Sequence, residues 1–159
     1  MSNTQREWRS RPSFPQLTCL QGKASPLAEW VAVIDDDDTV RHSLARLFKA
    51  LGIDARAYES ADEYVDRPLG DLPACIVLDV QLQAGRSSFE LIDWMDVEGQ
   101  RVPVIFMTGQ TELQTELYGR YPELGETLRK PFDPDRLISR VRYHMEASAA
   151  AARSIITPF

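Results

Sequence analysis

Short strand-like runs that alternate with helix-period segments predict an α/β protein built on a five-stranded parallel sheet with helices on both faces. Two observations carry this reading. The runs Val31-Ala32-Val33-Ile34 and Cys75-Ile76-Val77-Leu78 are continuously apolar, as strands covered on both sides require. Between the runs, apolar residues recur at helical spacing. Parallel strands need crossover connections, and these are right-handed.

The first strand covers residues 30–34. Val40, Leu44, Leu47, Phe48 and Leu51 then fall on one face of a helix, and Gly52 ends it. A short second strand follows at about 54–58. Ser60-Ala61-Asp62-Glu63 is a capping-box pattern that opens a second helix, which stops before Pro68. The third strand, 74–78, ends on Asp79. A loop containing Gly85 leads to a third helix at about 88–98, with Phe89, Leu91, Ile92 and Met95 inward. The fourth strand runs from Val102 to Met107 and ends at Thr108-Gly109, before a more polar helix at about 111–119. A short fifth strand, about 126–129, ends at Lys130-Pro131. Asp133-Pro134 caps a fifth helix with Leu137, Ile138, Val141 and Met145 apolar, and its alanine-rich end prolongs it.

Residues 1–29, rich in Ser, Thr, Gln, Arg and Pro, are expected to be a flexible N-terminal extension. Residues 30–146 form the domain, and 147–159 a C-terminal tail that is helical at its start. No apolar stretch approaches the 18 or so residues of a membrane span, and no apolar core follows Arg6, Arg9 and Arg11 to make a signal peptide. The net charge is −6, and Arg6, Arg9, Arg11 and Lys23 concentrate bases ahead of the domain. A compact domain that acidic is a poor DNA-binding surface. Cys19 and Cys75 lack metal-site spacing, Cys75 reads as a buried apolar residue, and a cytoplasmic location fits.

Val31 to Ile34 run straight into Asp35-Asp36-Asp37-Asp38-Thr39. Carboxylates stacked at a strand end repel one another unless solvated or gathered around a cation. Asp79, Thr108 and Lys130 end three further strands, and in a parallel sheet all these ends share one edge, where ligands bind. Carboxylates there offer hard oxygen ligands to Mg²⁺, and one can serve as a nucleophile toward phosphorus. A hydroxyl and an ammonium can hold the other phosphoryl oxygens. Singly, each residue reads as a cap, a turn or a solvated lysine. Together, at every relevant strand end, they make coincidence a poor explanation.

On these residues the segment 30–146 resembles the receiver domain of bacterial two-component response regulators. The resemblance rests on Ile34-Asp35-Asp36, Leu78-Asp79, Met107-Thr108-Gly109 and Lys130-Pro131-Phe132, in order and spacing. It implies a doubly wound, flavodoxin-like (βα)5 sheet of strand order 2-1-3-4-5. It implies that Asp79 is the phosphoacceptor. Asp36, Asp79 and the backbone carbonyl of Gln81 would ligate Mg²⁺ directly, and Asp35 through a metal-bound water. Thr108 and Lys130 would bind the phosphoryl group, and Gln81 and Gln110 would tune its lifetime. The Lys130-Pro131 bond would be cis, as is usual in the family. The implied donor is a sensor histidine kinase or a histidine phosphotransfer protein, and the domain itself is a signalling module rather than an enzyme.

Three departures stand beside the match. Residues 79–88 lack the family's usual Pro and Gly and run one residue longer, which alters the loop beside the metal. Thr127 replaces the Tyr or Phe of the switch position, against an aromatic-gated switch. The acidic run continues into Asp37 and Asp38, leaving open which carboxylate faces the ion, with Asp35 and Asp36 favoured and the later pair opening the helix. Two other readings compete. Asp35-x-Asp37-x-Thr39 fits the nucleophile motif of a haloacid-dehalogenase-type phosphatase with Asp35 as nucleophile, but leaves no room for a flap and no task for Asp79. A degenerate receiver would act as a binding module only. His42 and His144 read as solvated rather than as phosphodonors. Too few residues follow the fifth helix for a DNA-binding module, so output is expected through an unknown downstream protein. The face of helix four, strand five and helix five, with Glu112, Glu116, Arg120, Arg136 and Arg140, is the expected contact, and homodimerisation is one form it can take.

Overall fold

The structure, a computed structural model, describes residues 29–68, 70–122 and 126–156. The expected N-terminal extension up to residue 28, with Cys19 in it, and residues 157–159 of the expected tail lie outside the described residues. Five parallel strands form one sheet: β1 (Trp30–Ile34), β2 (Asp54–Tyr58), β3 (Cys75–Asp79), β4 (Val104–Thr108) and β5 (Glu126–Arg129). They alternate with α1 (Asp38–Ala50), α2 (Ala61–Val65), α3 (Ser88–Val97), α4 (Thr111–Arg120) and α5 (Pro134–Ile156). The strand order is β2-β1-β3-β4-β5, the expected one.

β1, β3 and β4 are buried along their whole length, which is why they read as unbroken apolar runs. Alternate side chains go to opposite faces. Ala32, Ile34, Ile76, Leu78 and Phe106 pack under α2, α3 and α4. Val31, Val33, Val77, Ile105 and Met107 pack under α1 and α5, with Phe48 and Leu137 between them. The edge strand β2 carries Asp54 and Arg56 and is largely exposed, a charged edge that discourages pairing with another chain.

Several boundaries differ from the sequence reading. β3 and β4 start later and run one residue further, so Asp79 and Thr108 are themselves the last strand residues. Pro103 has no N–H for the ladder and enters it only through its carbonyl, which accepts from Ile76 N–H at 2.9 Å. Leu51, expected on the buried face of α1, is the C-cap residue and is exposed. Gly52 follows at φ +70°, the left-handed position that glycine fills without strain. Ser60 caps α2 as expected, but Glu63 reaches back to Glu59 N–H rather than to the cap residue. A full capping box forms instead at α3, between Ser87 and Glu90. α5 runs on through Ile156, taking in most of the expected tail.

The C-terminal end of α4 is latched to α3. Tyr121 Oη donates to Asp93 Oδ1 at 2.6 Å, Arg120 pairs with Asp93 at 3.0 Å, and the Phe89 and Tyr121 rings stack. His144, expected in solvent, is half-buried, and burial lowers its pKa. Cys75 is buried as expected, and burial pushes its thiol up to about 12, which leaves it protonated and inert at neutral pH.

Arg67 is an unusual core residue. It is 9% exposed and lies 4.1 Å over the Tyr64 ring. Its Nη2 donates to Tyr64 Oη and Gln100 Oε1, while Nε and Nη1 have no hydrogen-bond partner among the described residues. A buried guanidinium with unsatisfied donors and no contact ion pair among those residues offsets its packing by desolvation. Arg67→Met is therefore expected to change stability by less than about 1 kcal/mol. A loss above about 2 kcal/mol in urea unfolding would show that the bonds to Tyr64 and Gln100 outweigh that penalty.

Candidate functional site

The site grows from three neighbouring strand ends. Register pairs Ile34 with Leu78 and Asp79 with Met107, so the residues just beyond β1 and those closing β3 and β4 lie side by side at the C-terminal edge. β1 and β3 are neighbours, and their helices leave to opposite faces, which opens a crevice between them. Asp35 and Asp36 follow β1 directly, and Asp79 closes β3. Carboxylate oxygens of Asp35, Asp36 and Asp79 lie within 4.8 Å of one another.

Each carboxylate is held. Asp35 is fully buried: Oδ1 accepts from Asp37 N–H at 2.9 Å and Oδ2 from Lys130 Nζ at 3.1 Å. Asp79 Oδ1 accepts from Gln81 N–H at 2.9 Å, and Oδ2 faces Lys130 Nζ at 3.4 Å. Asp36 Oδ2 accepts from Gln83 N–H at 3.0 Å. Asp37 turns away from the cluster and caps α1, accepting from Thr39 and Val40 N–H. Asp38 sits in the first turn and pairs with Arg41. The later two aspartates of the run are thus spent on the helix start.

Burial raises the pKa of Asp35, and the charge of Asp79 adds to this, against the opposing pull of the Asp37 N–H and Lys130. Burial works against the charge of Lys130, but Asp79 and Asp35 outweigh it and raise its pKa. The ammonium is therefore firmly charged between two acids. Lys130 N–H also donates to the Thr108 carbonyl at 2.8 Å, tying the β5 end to the β4 end, and Lys130-Pro131 is cis.

Thr108 does not touch the carboxylates. Its hydroxyl donates to the Gln110 carbonyl and accepts from Gln110 N–H, both at 3.1 Å. Gln110 thus bonds to Thr108 and to no acid, and α4 starts there without a side-chain cap. The Gln81 side chain reaches over Gly109: a Cβ on that glycine would stand 3.7 Å from Gln81 Oε1. Thr127 is buried and pairs with Phe106 in the ladder, two strand positions removed from the Thr108 pair. Sequence reasoning missed Arg41, whose Nη1 donates to the Asp35 carbonyl at 2.7 Å, and Gln83 and Asp62, which hold the β3–α3 loop. Arg41, three positions after Asp38 on a helix, was the one with a sequence signal.

Residues 31–142 match the family model described as the response regulator receiver domain. This chain belongs to that family. The receiver domain is 35% identical over 123 residues to the transcriptional regulatory protein FixJ of Azorhizobium caulinodans, covering 77% of this chain and 58% of that one. Full-length FixJ from B. japonicum superposes with a TM-score of 0.69 at 28% identity, over 79% of this chain and 62% of that chain. The receiver domain of Francisella response regulator 1452 has the same fold, with a TM-score of 0.67 at 22% identity over 76% of this chain and 98% of that one. This chain spans about half the length of the curated relatives it matches. The family is one of signalling domains, partnered by histidine kinases, and its members typically bind Mg²⁺ at an acidic pocket. The donor set of the receiver domain here, three carboxylates in reach of one another, fits such a hard cation. Among the described residues no helix is long and apolar enough to cross a membrane.

Proposed function

We propose that this chain accepts a phosphoryl group from a phosphohistidine donor onto Asp79 and signals the change through a protein contact. The observation that carries the reading is Lys130 Nζ standing 3.1 Å from Asp35 and 3.4 Å from Asp79, beside a carboxylate cluster at the sheet edge. Asp35, Asp36, Asp79 and the Gln81 carbonyl are the residues to hold Mg²⁺, whose charge would offset that of the phosphoryl oxygens. An Asp79 oxygen forms the new bond to phosphorus, the bond from phosphorus to the donor's imidazole nitrogen breaks, and the imidazole leaves. Lys130 then exchanges a carboxylate partner for a phosphoryl oxygen.

The hydroxyl of Thr108 is the second group to change partner. To donate to the phosphoryl group it must leave the Gln110 carbonyl, and that frees the residue from which α4 starts. Thr127 offers no ring to follow this movement, so the signal runs through the backbone at Gln110 and through Lys130 into β5. Gln81 and Gln110 flank the path by which water would reach the phosphoryl group and set its lifetime. The readout face is formed by α4, β5 and α5, where Tyr118 and Tyr143 are exposed and Arg140 pairs with Glu126. Homodimerisation is one form of that contact. Arg120 serves it less than expected, because Asp93 of α3 holds it. The cytoplasm is the proposed working place.

Intact mass after incubation with acetyl phosphate and Mg²⁺ tests the reading. One phosphoryl group is expected, mapped to the Asp79 peptide and absent from Asp79→Ala. A phosphoryl group on Asp35 would make the chain a haloacid-dehalogenase-type phosphatase. No adduct with either acetyl phosphate or beryllofluoride would make it a binding module only.

A further inference from the structure

The loop between β3 and α3 departs from the family pattern, and it is fastened at several points along its length. Between Val80 and Ser87 it has no regular structure, yet side chains hold it along its length. Gln81 N–H is taken by Asp79 and Gln83 N–H by Asp36, both from the acidic cluster. The third hold comes from outside the cluster. Asp62 on α2 accepts from Arg86 N–H through Oδ2 at 3.0 Å and pairs through Oδ1 with Arg86 Nη2 at 3.3 Å. Gly85 makes this approach possible. It has φ +73°, and a Cβ there would lie 2.2 Å from Asp62 Oδ2.

We propose that Asp62 is a positioning residue for the cation and phosphoryl site, and that Asp62, Gly85 and Arg86 form a clamp fixing the loop onto α2. The inference rests on the receiver reading given above. The clamp lies four residues from Gln81 along the loop, and Gln81 carries the carbonyl assigned to the ion. It lies two residues from Gln83, whose N–H occupies one oxygen of Asp36 and so decides which oxygen remains for the ion. With the clamp intact, the loop presents both groups in place before the ion arrives. Released, the loop must be ordered by the ion itself, and that ordering is subtracted from affinity. The Asp62 side chain is 47% exposed, so the pair adds little to global stability, and its effect falls on the loop.

The test is calorimetric titration of Mg²⁺ alone into the EDTA-stripped full chain, for wild type, Asp62→Ala, Asp62→Asn and Gly85→Ala. Loss of a residue that orients metal ligands typically weakens affinity by about tenfold or more. About tenfold weaker binding is expected for Asp62→Ala and for Gly85→Ala. Asp62→Asn keeps an acceptor for Arg86 N–H and should fall between wild type and Asp62→Ala. Unfolding temperatures in EDTA should stay together for wild type and the two Asp62 variants, while Gly85→Ala, strained at φ +73°, should melt lower. With acetyl phosphate, the variants should need more Mg²⁺ for half-maximal phosphorylation yet reach the wild-type rate at saturation. Wild-type affinity in Asp62→Ala, or weakened binding that tracks a lowered unfolding temperature in the Asp62 variants, would overturn the clamp and leave the receiver reading standing. A wild type that bound no Mg²⁺ would overturn both.

Discussion

Lys130→Met is expected to cost the ion-free protein about 2–3 kcal/mol at neutral pH. Methionine keeps the length of the stem and removes the charge. Left behind are two carboxylates with side-chain exposures of 0% and 8%, and no cation between them. Removing one partner of a fully buried pair costs roughly 3–5 kcal/mol, and the smaller figure allows for water on the open side of Lys130. The pH dependence has a definite sign. The pKa of Asp35 is raised, chiefly by burial, above its ordinary 3.8. A carboxylate whose folded pKa lies above its unfolded value favours folding when protonated. That contribution is complete below the unfolded value and is lost as pH rises through the folded one. Loss of Lys130 lifts the Asp35 value further, so the deficit should shrink on acidification and also on adding Mg²⁺. The pKa of Lys130 itself is raised, so its own contribution persists across neutral pH and fades only above 10.5. Urea unfolding in EDTA across a pH series measures this. Equal stability of variant and wild type at neutral pH would mean that solvent already screens the pair. The variant should also fail to accumulate phosphorylated protein.

Phe48→Ala should produce the largest loss of stability among core truncations on the α1 side, about 4 kcal/mol. Its ring is fully buried between α1, the sheet and α5, in the cluster that holds Val31, Val33, Val77 and Leu137. The resulting cavity is bounded by strands that cannot move inward without breaking the ladder. A fall in Tm on the order of 15 °C follows for a domain of this size. Phe48→Leu should recover much of it. The effect reaches the site because Phe48 anchors α1, and the N-terminal cap of α1, Asp37, gives its N–H to Asp35. Looser Asp35 should appear as weaker Mg²⁺ binding at temperatures where the variant is still folded. A loss under about 2 kcal/mol would show that α5 closes over the space.

Much of this architecture was legible because burial writes itself into local sequence. β1, β3 and β4 are buried on both faces, so their residues are apolar without interruption, and the first polar residues mark the edge where the site lies. Asp37 was legible as a cap because capping is a contact of two or three residues' reach. The β3–α3 loop was not, since its partners Asp36 and Asp62 lie 47 and 24 residues away in sequence, and nothing local announces them. The same holds for Arg120. Its charge placed it on an interaction face, but Asp93, 27 residues earlier, takes it. Glu63 shows a subtler limit. The pattern that predicted its role was correct in type, yet the backbone entered α2 one residue differently and gave Glu59 N–H to it instead.

α5 begins four residues after Lys130 and continues for 23 residues without a break. At 1.5 Å per residue this is a rod roughly 34 Å long. Its first turns are bolted to the sheet by Leu137 and Val141, both fully buried. A rod pivoting at that end amplifies what happens there: a tilt of about 5° carries the far tip about 3 Å sideways. Sub-ångström adjustments at that end would become displacements as large as a hydrogen bond at the other. In such a pivot the helix would act as a lever arm, with its length setting the gain.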